Sequence, residues 1–96
     1  MSEFLEEVLV KLQPRLEESS FGGTAKLDVT EEGAILITAD GAEISDAEAD
    51  VTLTADVDTV RSIFNQELDP TSAFMTGKLA VDGDMGVAMQ LAQVLS

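Results

Sequence analysis

The chain reads as an α+β domain, an antiparallel meander of strands with helices gathered on one face of the sheet. Three changes of pattern predict it. Residues 3–16 repeat apolar side chains at three- and four-residue steps, residues 24–55 switch to alternation, and helical spacing returns after Asp56, broken only by "KLAVDG". At 96 residues, 45% of them hydrophobic, a chain buries roughly 60–65% of its unfolded surface, which suits one core and one domain over residues 1–96.

In "EFLEEVLVKLQPRLEE" the residues Phe4, Leu5, Val8, Leu9, Leu12 and Leu16 form the apolar stripe, with Glu3, Glu6, Glu7 and Lys11 outward. Ser2 is placed to cap this helix. Pro14 removes a backbone donor and is expected to kink or end the helix near Gln13, with "SSFGG" completing the exit. "TAKLDVT" sets Ala25, Leu27 and Val29 on one strand face, and "EEGA" reads as a hairpin turn. "AILITAD" is apolar on both faces, as a central strand would be. "GAEIS" reads as a short edge strand, and "ADVTLTAD" points Val51, Leu53 and Ala55 inward.

After Asp56, "DVDTVRSIFNQ" predicts a helix with Val57, Val60, Ile63 and Phe64 on the core side. The next helix is bracketed by Asp69 as N-cap, Pro70 at the first helical position and Gly77 past the end. "KLAVDG" forms the last strand, with Leu79 and Val81 on one face. Gly83 supplies a tight turn, Gly86 allows close packing, and Asp84 caps the final helix.

Charge and composition exclude several functions. Nineteen acidic residues against five basic leave a formal net charge of −14, a field that repels nucleic-acid phosphates and anionic headgroups. Cys and His are absent, removing thiolate nucleophiles, disulfides and the usual neutral-pH base. The acidic opening lacks a secretory leader's basic flank, and no apolar run nears the ~20 residues of a spanning helix. A cytoplasmic protein without stable membrane insertion is expected.

No motif supplies chemistry. "GKLAVDGDMG" matches neither phosphate-binding glycine pattern. In "DGAEISDAEAD" the calcium-loop spacing fails, since counting from Asp46 puts Val51 where Gly belongs and Val57 where Glu belongs. Asp82 and Asp84 resemble an acid/base pair but are explained by hydration and capping. No catalytic residue, metal site or cofactor is assigned, and the protein is expected not to be an enzyme.

The final helix raises the functional question. From Met85 to Leu95 it has no charged side chain, and only Gln90 and Gln93 interrupt Met85, Val87, Ala88, Met89, Leu91, Ala92, Val94 and Leu95. One reading buries it entirely. The other packs one face on the domain while a second closes over an apolar ligand cavity, with adaptable Met75, Met85 and Met89 nearby.

The stretches "ADVTLTAD" and "LDPTSAFMTGKLAVDGD" resemble the sterol carrier protein 2 (SCP2) family. The match runs over Ala49 to Leu53, then Leu68, Asp69, Pro70, Ala73, Phe74, Met75, Gly77, Lys78, Leu79, Val81, Gly83 and Asp84. The resemblance implies an SCP2-like α+β fold, with a five-stranded, mostly antiparallel sheet and helices on one face. It also implies an apolar tunnel that holds or transfers a fatty acid, sterol or related lipid. By position, Phe64, Phe74, Met75, Leu79, Met85, Met89, Leu91 and Leu95 are its candidate lipid-binding residues. The alternative is an interaction or dimerisation module that uses the fold without lipid, so a monomer or weak homodimer is expected. The acidic balance departs from the basic eukaryotic members and, with only Lys78 and Lys26 nearby, disfavours acyl-CoA binding and membrane delivery.

Overall fold

A computed structural model describes residues 3–18 and 21–95. Helix α1 (Glu3–Glu18) leads into strands β1 (Ala25–Val29), β2 (Gly33–Thr38), β3 (Gly41–Ile44) and β4 (Val51–Ala55). Helices α2 (Val57–Phe64) and α3 (Pro70–Met75), strand β5 (Ala80–Gly83) and helix α4 (Met85–Leu95) follow. The predicted cap Ser2, and Ser19 and Ser20 of the predicted exit, lie outside the described residues.

Helix α1 does not end at Gln13. It runs through Pro14 to Glu18, with Leu12 and Leu16 both buried. Pro14 cannot donate to the carbonyl of Val10, but Val10 is 72% exposed, so water can satisfy the freed group while core packing carries the helix onward. Phe21, predicted as part of an exit, is buried in the core.

The sheet order is β3-β2-β1-β4-β5. Three of its pairings are antiparallel, but β4 lies parallel to β1 with Leu27 opposite Leu53. The meander therefore holds only for β1 to β3; β2 is an interior strand as expected, paired on both sides, while β1 is the middle strand of the five. Residues 45–50 carry the chain back past β2 and β1, with Lys26 reaching Asp46 at 3.3 Å and the Asp50 N–H donating to the Thr24 carbonyl at 3.1 Å. That crossover decides the parallel pairing. The alternation gives facing directions but does not say which strand becomes the neighbour.

On the covered face, Ala25, Leu27, Val29, Ile35, Ile37, Val51, Leu53 and Ala55 meet Leu5, Val8, Leu12, Leu16 and Leu91 from the helices. Helix α1 lies over β2 and β3, and α4 over β1, β4 and β5. Arg15 ties helix ends together, because its guanidinium donates to the carbonyls of Leu95 and, at 3.4 Å, Phe64. It also stacks 5.2 Å from the Phe64 ring centroid. These contacts neutralise the negative ends of two helix dipoles.

Asp56 caps α2, accepting from the Thr59 N–H at 2.7 Å. Hydrogen bonds from the Thr59 side chain and backbone, with a smaller contribution from Lys78, hold its carboxyl below the ordinary 3.8. A lowered folded-state value means the cap contributes fully well above 3.8 and is lost as pH falls through the folded value. Asp56→Asn keeps the cap oxygen without the titration. The stability advantage of wild type over this variant is expected to shrink on acidification from about pH 5 to about pH 2.5 in parallel urea melts. A pH-independent difference would contradict it.

Candidate functional site

Two helices and two strands frame an apolar groove. Asp69 accepts from the Ser72 N–H at 3.2 Å to start α3, and Pro70 occupies its first turn. Asp84 starts α4, accepting from the N–H groups of Gly86 (2.8 Å) and Val87 (3.2 Å). Between them, β5 is tied to β4, with Val81 opposite Leu53. A chain reversal after α3 brings this strand under both helices, and Gly77, at φ 80°, makes it.

The groove has a volume of about 240 Å³. Leu53, Leu79 and Val81 form its floor, Pro70, Thr71, Phe74 and Met75 one wall, and Met85, Ala88, Met89 and Ala92 the other. Residues 85, 88, 89 and 92 are spaced i, i+3, i+4, i+7, one stripe of α4. Val87, Leu91, Val94 and Leu95 make the second stripe, which is buried. The helix is therefore apolar on two sides for two reasons: one stripe grips the core and the other walls the groove.

Five candidates line this groove: Phe74, Met75, Leu79, Met85 and Met89. Three sit elsewhere. Leu91 and Leu95 point into the core, and Phe64 is buried at the end of α2 beneath Arg15. The helical stripe could have supplied the missed Ala88 and Ala92. Leu53 required the β4–β5 pairing, which no local pattern encodes. Gly86 also differs from expectation, since a Cβ there would approach the Asp84 carboxylate at 3.1 Å rather than a packed neighbour.

Exposure shows that the groove is half open. Phe74 is 43% exposed, Met75 78%, Met85 48% and Met89 57%. Its volume lies below the ~300–1,000 Å³ usual for ligand pockets, so a long chain would fill it only as these flexible side chains swing outward. A wider hollow of about 460 Å³ lies beside β2 and β3, but Gln13, Thr38, Asp40 and Glu43 line much of it. Lining chemistry rather than size singles out the α3–α4 groove. No helix among the described residues is long and apolar enough to cross a membrane.

The model of the SCP-2 sterol transfer family matches residues 6–96. A solution structure of Sterol Carrier Protein-2 from Aedes aegypti in complex with the C16 fatty acid palmitate superimposes with a TM-score of 0.79. It is 24% identical, covering 100% of this chain and 97% of that one. The sterol carrier protein domain 2 of Helicoverpa armigera gives a TM-score of 0.78 at 22% identity, covering 96% of this chain and 85% of that one. Among curated proteins, the hydroxysteroid dehydrogenase-like protein 2 of Danio rerio is 42% identical over 48 residues, 50% of this chain but only 12% of that relative. The chain thus corresponds to a small part of that longer protein.

Proposed function

Because the chain belongs to the SCP-2 sterol transfer family, we propose that it is a non-enzymatic lipid-binding domain that holds one apolar lipid, of fatty-acid or sterol kind, in the groove between α3 and α4. The observation that carries the reading is a lining of eleven residues in which Thr71 is the single polar side chain. Four of its large apolar residues, Phe74, Met75, Met85 and Met89, are left exposed among the described residues. The palmitate complex of the Aedes aegypti protein, on the same fold, supports the ligand class.

Binding would draw on removal of apolar surface from water, worth about 25 cal/mol per Å² or ~0.8 kcal/mol per methylene buried. Phe74, Met75, Leu79, Met85 and Met89 would contact the lipid, while Leu91, Leu95 and Phe64 would support the wall from beneath.

Ala92→Trp tests the site. Ala92 is half-buried at the groove wall, and an indole there would fill much of the space an alkyl chain needs. Lipid affinity is expected to fall ~10-fold or more, equivalent to ~1.4 kcal/mol, with the circular dichroism spectrum unchanged. Native mass spectrometry and fluorescent-lipid titration would read the effect. Unaltered affinity would place the lipid elsewhere.

A further inference from the structure

We propose that the groove selects amphiphiles with an uncharged head group, such as an alcohol, over carboxylates of equal tail length. The inference rests on the lipid-binding reading of this groove and adds its head-group class.

The chain has five basic residues, all described, and none lines the groove. Arg15 is bonded to the carbonyls of Leu95 and Phe64. Arg61 stacks on Phe4, 5.3 Å from the ring centroid, and Lys11 lies on α1. Lys26 pairs with Asp46, and its register opposite Thr52 puts it on the sheet face turned away from Leu53. Lys78, which adjoins the groove in sequence, lines a separate polar notch with Asp56 and Asp58.

The other usual source of positive potential is offset by the protein's own charge. A helix N-terminus attracts an anion through unbonded N–H groups and its dipole. At both helices walling the groove the protein's own carboxylates already accept from such groups, Asp69 from the Ser72 N–H on α3 and Asp84 from the Gly86 and Val87 N–H groups on α4. An anionic head group at the mouth would meet no basic side chain among the described lining residues, two helix starts already capped by carboxylates, and the field of a chain with net charge −14. Repulsion of that kind acts within a Debye length. The Thr71 hydroxyl, which both donates and accepts, suits a neutral oxygen instead.

The test pairs 1-dodecanol with sodium dodecanoate, titrated into the protein at about pH 7.5, where the carboxylate is ionised. It is run at about 0.01 M and about 1 M salt, where the Debye length falls from ~30 Å to ~3 Å. At low salt dodecanol is expected to bind ~10-fold more tightly, and the gap to narrow at high salt, since salting-out acts on both tails alike and cancels in the ratio. Thr71→Lys, at an exposed position, is expected to shift the low-salt ratio toward dodecanoate. Dodecanoate binding as tightly as dodecanol at low salt, a ratio insensitive to salt, or no response to the lysine would each overturn the selection while leaving lipid binding intact. Binding of neither compound at either salt overturns the lipid-binding reading itself.

Discussion

Leu91→Ala is expected to destabilise the protein by about 2–5 kcal/mol, the range for leucine truncation in a core that cannot collapse around the vacated volume. Leu91 is fully buried, on the inward stripe of α4 among residues from both the helices and the sheet. For a domain of this size each kcal/mol moves the melting temperature by ~4–8 °C, so a fall on the order of 10 °C or more should appear in a thermal scan. Lipid affinity, measured well below the melting point, should fall far less than with Ala92→Trp, because Leu91 does not face the groove. A stability loss under ~1 kcal/mol would show that α4 is not seated as described. A loss of affinity larger than the loss of stability would show that the two stripes of the helix have been wrongly divided.

Gly83→Ala should be comparably damaging by another mechanism. Gly83 has φ 123°, a region rarely open to a residue with a Cβ. An added Cβ would lie 2.4 Å from the Asp50 carbonyl oxygen and 2.8 Å from the Val51 Cα. Both neighbours are backbone, so no side chain can swing aside. The Asp84 N–H also donates to that Asp50 carbonyl at 2.9 Å, so displacement there disturbs the start of α4 and the end of the β4–β5 pairing together. A cost on the order of 3 kcal/mol is expected in urea unfolding. Lipid affinity should fall with it, since Val81 on the groove floor is held by the same strand pair. An unchanged urea midpoint would contradict the account.

These two sites also mark how far local pattern reaches. Asp84 was legible as a cap because capping depends on a few neighbouring residues. For the same reason Asp56, Asp69, Pro70 and Gly77 bracketed α2 and α3 correctly. Gly83, expected in a tight turn, instead ends β5 opposite Val51 and is required there by the close approach of the β4 backbone. At Pro14 local propensity favours a kink or a stop, and the helix does not stop, because Leu12 and Leu16 pack on both sides of it. Position alone makes Phe64 a candidate, because a buried aromatic looks the same from sequence whether it packs against a ligand or beneath a guanidinium.

Periodicity, caps and turn residues were enough to specify the α+β class, nearly every element and the presence of an apolar helix with surface to spare. The family motif added the five-stranded sheet. All of these are encoded within a few residues of one another along the chain. The return of β4 beside β1, and hence which strands floor the groove, is a long-range choice that alternation does not carry. So is the division of α4 into a core stripe and a groove stripe, since a Leu and a Met are equally apolar until α3 and β5 are brought against one side and the sheet against the other.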